Sequence, residues 1–178
     1  MDFEEKFKSG GLVFDGKLLK LHRDIIRKPD GREEIREVIR HPGAAVIVPR
    51  LRDGRFVLVR QFRYALNRET VEFPAGKLDP GEDPLFCAQR ELKEETGYYA
   101  DDLKLLLKMQ PAPAYSDEIL WIYSAEDLTA GKNSPDSDEL VSVELYTMDA
   151  LFALYKRGEI SDGKTVAALL HCKLFLKG

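Results

Sequence analysis

GKLDPGEDPLFCAQRELKEETGY, residues 76–98, sets Glu91, Glu94 and Glu95 three and four residues apart, just after Glu82 and Asp83. Residues 82–96 have helical period. Leu85, Ala88 and Leu92 share one apolar stripe, and Gly97 stands where a helix stops. On the neighbouring face the three glutamates have Cβ atoms only ~5–6 Å apart, and each like-charged pair costs a few tenths of a kcal/mol when exposed. Partial burial raises that cost. Two accounts fit such a face. One is a solvated surface neutralised by Arg90 and Lys93; the other is a site for a hard divalent cation, which favours several carboxylate oxygens plus water. Charge alone does not choose between them. The preceding PAGKLDPG, residues 74–81, reads as a glycine-rich loop able to bring backbone carbonyls near the same carboxylates. Arg90 reaches Glu94 at i+4 and can fix the direction of its carboxylate.

Upstream of this segment the chain reads as strands. Asp15-Gly16 divides two apolar runs, and Pro29–Gly31 is a second turn before the alternating EEIREVIR. AAVIVPRL and RFVLVRQF flank Asp53-Gly54, which is the strongest hairpin signal in the chain. ETVEF leads into the quoted stretch; LKLLLKM, EILWIYSA and LVSVELY follow it as strands. The end of the chain turns helical, in MDALFALYKRG and then DGKTVAALLHCKLFLK. Strands with one embedded helix, then helices, predict an α+β sandwich with helices packed outside a mixed sheet. Residues 1–42 form a hairpin-rich N-terminal region with no helix, and residues 43–178 the core of the same domain. Isolated hairpins are marginal, so the N-terminal region should pack on the main sheet or on a second subunit.

Composition excludes several classes. A net charge of -4 with acidic and basic residues intermixed offers no basic stripe for a nucleic acid. MDFEEKFKSG is too charged for a signal peptide and no apolar run reaches bilayer length, so neither a membrane nor an exported location is expected, and the cytoplasm is the default. Cys87 and Cys172 lack metal-type spacing and sit among apolar neighbours, as buried thiols do.

Gly76, Glu82, Arg90-Glu91-Leu92, Glu94-Glu95 and Gly97 agree in type and spacing at eight positions with the box of the Nudix hydrolase family, which the chain therefore resembles. The last box position, usually aliphatic, is Tyr98 here, and an aromatic ring can also pack there. The resemblance implies a Nudix-type α/β/α sandwich that hydrolyses a nucleoside diphosphate linked to another group, using Mg2+ or Mn2+. It implies that Glu91, Glu94 and Glu95 hold the metal with the carbonyl of Ala75, while Glu82 and Arg90 shape the loop and orient the carboxylates.

Segments outside the box resemble the ADP-ribose pyrophosphatase branch: EVIRHPGAAVIVP, VRQFRYALNRETVEFPAG, ISDGKTVAALL, and Pro113 sixteen residues after Gly97. That branch implies a nucleoside diphosphate sugar as substrate, ADP-ribose giving AMP and ribose 5-phosphate, and a homodimer that exchanges its hairpin-rich N-terminus. Ala114 stands where the branch usually has glycine, and its Cβ keeps GDP-mannose and broader nucleotide-sugar hydrolysis as alternatives. The catalytic base in such proteins comes from an acidic loop before the last strand, here NSPDSDEL, with Glu139 first and Asp138 second. Arg63 is the candidate for gripping phosphates or the terminal sugar; Glu72, Pro113 and Glu118 are further substrate-side candidates. A module that binds such a ligand without hydrolysing it would have lost box carboxylates, and all are intact here.

Overall fold

The turns at residues 15–19 and 28–32 close an antiparallel sheet of β1 (Lys6–Asp15), β2 (Lys20–Arg27) and β3 (Glu33–Arg40), in the computed structural model, which describes residues 2–131 and 141–175. Gly31, at φ +86, donates its N–H to the Lys28 carbonyl at 2.9 Å, a left-handed turn position that favours glycine. The segment 110–119 joins β3. Ile39 N–H donates to the Tyr115 carbonyl at 2.8 Å, and Asp117 N–H donates back to Ile39 at 3.3 Å. Met1–Gly43 and Gln110–Ile119 thus form one compact unit, and Ala44–Met109 with Leu120–Gly178 form the other.

The second unit contains β4 (Ala44–Pro49), β5 (Phe56–Arg63), β6 (Arg68–Glu72), β7 (Ala75–Lys77), α1 (Pro84–Thr96), β8 (Tyr98–Tyr99), β9 (Leu103–Met109), β10 (Leu120–Ala125), β11 (Thr129–Ala130), β12 (Val141–Tyr146), α2 (Met148–Lys156) and α3 (Gly163–Phe175). One mixed sheet runs β7-β4-β10-β9, with β4 parallel to β10 and both flanks antiparallel. A three-stranded sheet runs β12-β5-β6 and a short pair joins β8 to β11. Every residue of β4 is buried, as a continuous apolar run requires when both faces are covered. Ala44, Val46 and Val48 face a cluster that includes Leu151 of α2 and Ala168, Leu169 and Cys172 of α3. Ala45 and Ile47 face the opposite cluster, with Cys87, Ala88 and Leu92 of α1. That alternation makes the α/β/α sandwich.

Three expectations need correction. The Asp53-Gly54 turn is real, with Gly54 at φ +86 and Leu51 N–H donating to the Arg55 carbonyl at 2.8 Å, but it does not close a two-stranded hairpin. Beyond one Arg50–Phe56 bridge, β4 pairs with β10 and β7 while β5 pairs with β12 and β6. Each run is apolar enough to be buried, so partners from elsewhere in the chain outcompete the local one. The segment 74–81 is not all loop either: β7 pairs with β4, with Gly76 opposite Ala45. The helix begins two residues later than its periodicity suggests. Pro84 occupies its first turn, and the Asp83 side chain accepts from Leu85 N–H at 2.8 Å as the N-cap. Gly97 ends it at φ +73, as expected.

Among the described residues no helix is long and apolar enough to cross a membrane.

Candidate active site

Helix α1 docks through Cys87, Ala88 and Leu92, all fully buried. Burying a leucine side chain contributes roughly 1.5–3 kcal/mol, more than the few tenths of a kcal/mol that each like-charged pair costs at the surface. The same docking draws two of the carboxylates inward: Glu91 is 9% exposed and Glu95 2%. A solvated acidic face is therefore excluded. Glu94 stays part-buried on the outer side.

Arg90 is the hub of the cluster. Its Nε and Nη2 donate to the two oxygens of Glu82, each at 3.0 Å. Its Nη1 donates to Glu91 Oε1 at 2.6 Å and to Glu94 Oε2 at 2.9 Å, and Nη2 also reaches the Lys77 carbonyl at 3.2 Å. The hydrogen bonds from Arg90 hold the Glu82 carboxyl down at about 2 against the upward push of burial, and donating them to Glu82 is what foremost raises the guanidinium in turn. Glu82 Oε2 also accepts from Asp79 N–H at 2.9 Å, so one carboxylate ties the loop to the helix. Ala75 N–H donates to Glu95 Oε2 at 3.0 Å, linking β7 to the far end of the cluster.

Glycine at position 76 has a steric cause. A Cβ there would lie 1.8 Å from Glu91 Oε1, so this carboxylate rests directly on the backbone of β7. The Cys87 thiol lies 3.6 Å from the Gly76 carbonyl and 3.5 Å from that of Lys77, and burial pushes it up to about 12. It is a packed, unreactive thiol. Cys172, also buried, is pushed up to about 11 for the same reason.

A second polar cluster centres on Glu72, 2% exposed at the end of β6. Arg63 grips it side-on, Nε to Oε1 at 2.9 Å and Nη2 to Oε2 at 2.6 Å. Thr70 Oγ1 donates to Oε1 at 2.6 Å, and the Lys164 ammonium donates to Oε2. Burial alone would raise this carboxyl; the bonds from Arg63, Lys164 and Thr70 and the charge of Lys164 overcome it and hold it at about 2. Both oxygens accept two donors each, which fills a carboxylate. Glu72, a substrate-side candidate in the sequence, is paired with Arg63, whose side chain remains 43% exposed. Donating its hydrogen bonds to Glu72 raises the Arg63 guanidinium, helped by the charges of Glu72, Asp162 and Glu95, so Arg63 lies within electrostatic reach of the acidic helix.

Pro113 and Glu118 belong to the first unit. Pro113 is exposed, and Glu118 Oε1 lies 3.5 Å from His41 Nδ1. Ala114 does not have positive φ, so the backbone here does not require glycine. Glu139 and Asp138 lie outside the described residues. Lys164, Asp162 and Thr165 escaped the reading of the sequence as site residues. The only local signal was the cap pattern Asp162-x-x-Thr165, while Glu72 lies 92 residues from Lys164.

Among the described residues no three acidic, histidine or cysteine side chains converge as a finished metal cage. Magnesium does not demand one: it keeps several waters and binds through one or two carboxylates together with substrate phosphates. Three carboxylates on one helix face, with a glycine letting one of them onto the strand beneath, supply hard oxygen donors of the kind such an ion takes. The donor set fits.

Comparison with known proteins agrees with this geometry. The NUDIX domain profile matches residues 39–169. The chain is 38% identical over 174 residues to the methanol dehydrogenase activator of Bacillus methanolicus, covering 97% of this chain and 94% of that protein. It is 37% identical over 173 residues to the ADP-ribose pyrophosphatase of Bacillus subtilis (strain 168), covering 96% and 94%. Its structure matches a crystal structure of an ADP compounds hydrolase with a TM-score of 0.88 at 26% identity, covering 100% and 97% of the two chains.

Proposed function

The chain belongs to the NUDIX domain family, and on that premise we propose that it hydrolyses the pyrophosphate bond of nucleoside diphosphate sugars, ADP-ribose foremost, releasing AMP and ribose 5-phosphate. The observation that carries the reading is the Arg90 hub, which draws Glu82, Glu91 and Glu94 together on a helix seated against Gly76. A surface helix has no use for buried like charges arranged in this way; a diphosphate hydrolase does.

Glu91, Glu94, Glu95 and the carbonyl of Ala75 would hold magnesium or manganese. Such an ion offsets the charge of the diphosphate, favours deprotonation of water and steadies the departing phosphate. The chain's own part is orientation. Arg90 fixes Glu82, Glu91 and Glu94, and Ala75 N–H fixes Glu95. Arg63, held by Glu72, presents the remainder of its guanidinium to the anionic substrate. Water attacks one phosphorus, the P–O bond of the bridge breaks, and the proton of the water passes to a carboxylate base. Glu139 is assigned as that base, with Asp138 the next choice. The N-terminal sheet is assigned to a homodimer interface and the protein to the cytoplasm.

Ala114 favours one second reading, in which GDP-mannose is the better substrate. A panel of ADP-ribose, GDP-mannose, other nucleotide sugars, dinucleoside polyphosphates and NADH, assayed with magnesium and resolved by product, tests both. AMP and ribose 5-phosphate from ADP-ribose as the dominant signal is the expected result. Dominant GDP-mannose turnover selects the second reading, and dominant dinucleotide turnover rejects both while keeping the family.

A further inference from the structure

The ISDGKTVAALL segment opens α3, and its first polar residues do more than cap a helix. Asp162 Oδ2 accepts from Thr165 N–H at 3.0 Å and from Thr165 Oγ1 at 2.7 Å, which completes the cap without Lys164. Thr165 Oγ1 in turn accepts from Phe73 N–H at 3.1 Å, binding the helix to the backbone between Glu72 and Ala75. Lys164 turns towards the strands. Its ammonium meets Glu72 Oε2 on one side and Asp162 Oδ2 at 3.0 Å on the other, with the side chain 12% exposed. Burying a lysine to this degree is costly unless it is paired.

Glu72 carries one negative charge and already has Arg63 and Thr70 as donors. Asp162 balances the charge of Lys164, yet the ammonium also donates to Glu72, so this one carboxylate is held by two cations. The second cationic donor has a use once Arg63 is asked to serve an anionic substrate. A diphosphate drawing the guanidinium towards itself would otherwise leave a buried carboxylate unpaired. With Lys164 in place, Glu72 stays compensated while Arg63 is shared.

We propose that Lys164 is a positioning residue for substrate binding: bridging Glu72 and Asp162, it fixes the carboxylate that aims Arg63 and frees Arg63 to engage the diphosphate. This rests on the reading above that Arg63 meets the substrate's phosphates. Lys164 touches no reacting atom, so its loss should weaken binding and leave the chemical step alone.

The test is a cycle of Lys164→Met, Glu72→Gln and the double variant in the full chain, with KM and kcat for ADP-ribose in magnesium and a thermal melt of each protein. Lys164→Met should raise KM about tenfold with kcat within about threefold of wild type. Lys164→Arg, which keeps a cation, should restore most of the loss. In the Glu72→Gln background Lys164→Met should add nothing, because the residue acts through that carboxylate. If Lys164→Met is too unstable to assay, Lys164→Gln, of similar reach and uncharged, is read by the same standard. An unchanged KM, or effects that multiply in the double variant, would overturn the proposal. Titration calorimetry with ADP-ribose in magnesium-free buffer separates the two layers. Wild-type protein that binds ADP-ribose in this buffer but does not hydrolyse it once magnesium is supplied defeats the proposed reaction; equal affinities of wild type and Lys164→Met defeat the positioning role. No ADP-ribose binding by wild type defeats both.

Discussion

Two arginines in this molecule each gather several glutamates, with opposite consequences. Arg36 on β3 donates from Nε to Glu5 Oε2 at 2.9 Å and from Nη1 to Glu34 Oε2 at 3.1 Å. Arg90 on α1 serves Glu82, Glu91 and Glu94 with the same fork of donors. The arginines are about equally exposed, and Glu94 at 32% is close to the Arg36 partners; the other two Arg90 partners are not. Glu5 and Glu34 keep 36% and 38% of their side-chain surface in water, whereas Glu82 and Glu91 keep 15% and 12%. In the exposed trio water does most of the screening, and the ion pairs decorate the sheet. Around the inward carboxylates the protein must supply what water no longer does, and Arg90 draws them together. Clustered charge marks function here through burial, not through number.

If the inward cluster exists to hold a dication, its most buried member should matter most to turnover. Glu95→Gln keeps the shape of the side chain and an acceptor for Ala75 N–H, so the fold should survive with an unchanged melting profile. Losing the charge should cost about three orders of magnitude in kcat/KM with magnesium, since several kcal/mol of transition-state stabilisation are at stake. Full activity would end the metal assignment. Gly76→Ala comes next. Gly76 does not have positive φ, so alanine causes no backbone strain there. Its Cβ instead collides with the Glu91 carboxylate at 1.8 Å, and the movable partner is the side chain. The expected result is a folded protein with about a hundredfold loss of kcat/KM, the scale of a ~1 Å misplacement near the chemistry. Wild-type activity would show that Glu91 has room to spare.

What was legible beforehand follows the range of the interactions. The helix of residues 84–96, its glycine stop and the direction of its acidic face are local facts, written in i, i+3 and i, i+4 spacing. The Arg90–Glu94 pair is of this kind. Partner choice between strands was not legible, because AAVIVP and FVLVRQFR look like neighbours across Asp53-Gly54 and are apolar enough to suit many partners. The three-residue β7 was hidden by the glycines and prolines around it; its pairing depends on β4 accepting Gly76 at close range. Glu72 and Lys164, far apart in the chain, show nothing local that announces a contact. Burial separated Glu91 and Glu95 from an ordinary solvated face, and burial is a property of the packed sheet.

The smallest effect is also the cleanest test of the contrast between the two arginines. Arg90→Met keeps the aliphatic stem and removes the charge, leaving Glu82 and Glu91, at low solvent exposure, and the more exposed Glu94 to repel one another. A fully buried pair loses about 3–5 kcal/mol when one partner is removed. Arg90 keeps some contact with water, so about 2 kcal/mol is the sensible expectation. For a chain of this size that lowers Tm by about 4–8 °C. Arg36→Met removes two ion pairs from β3, against three at Arg90, and Tm should stay within about 2 °C of wild type, since Glu5 and Glu34 are returned to solvent that already reaches them. Thermal melts in low and high salt read both. Added salt should recover part of the Arg90→Met loss by screening the three carboxylates and leave Arg36→Met unmoved. Equal shifts for the two variants would mean that exposure of the acceptors does not set the worth of these clusters, and that holding Glu82 and Glu91 inside carries no special energetic cost.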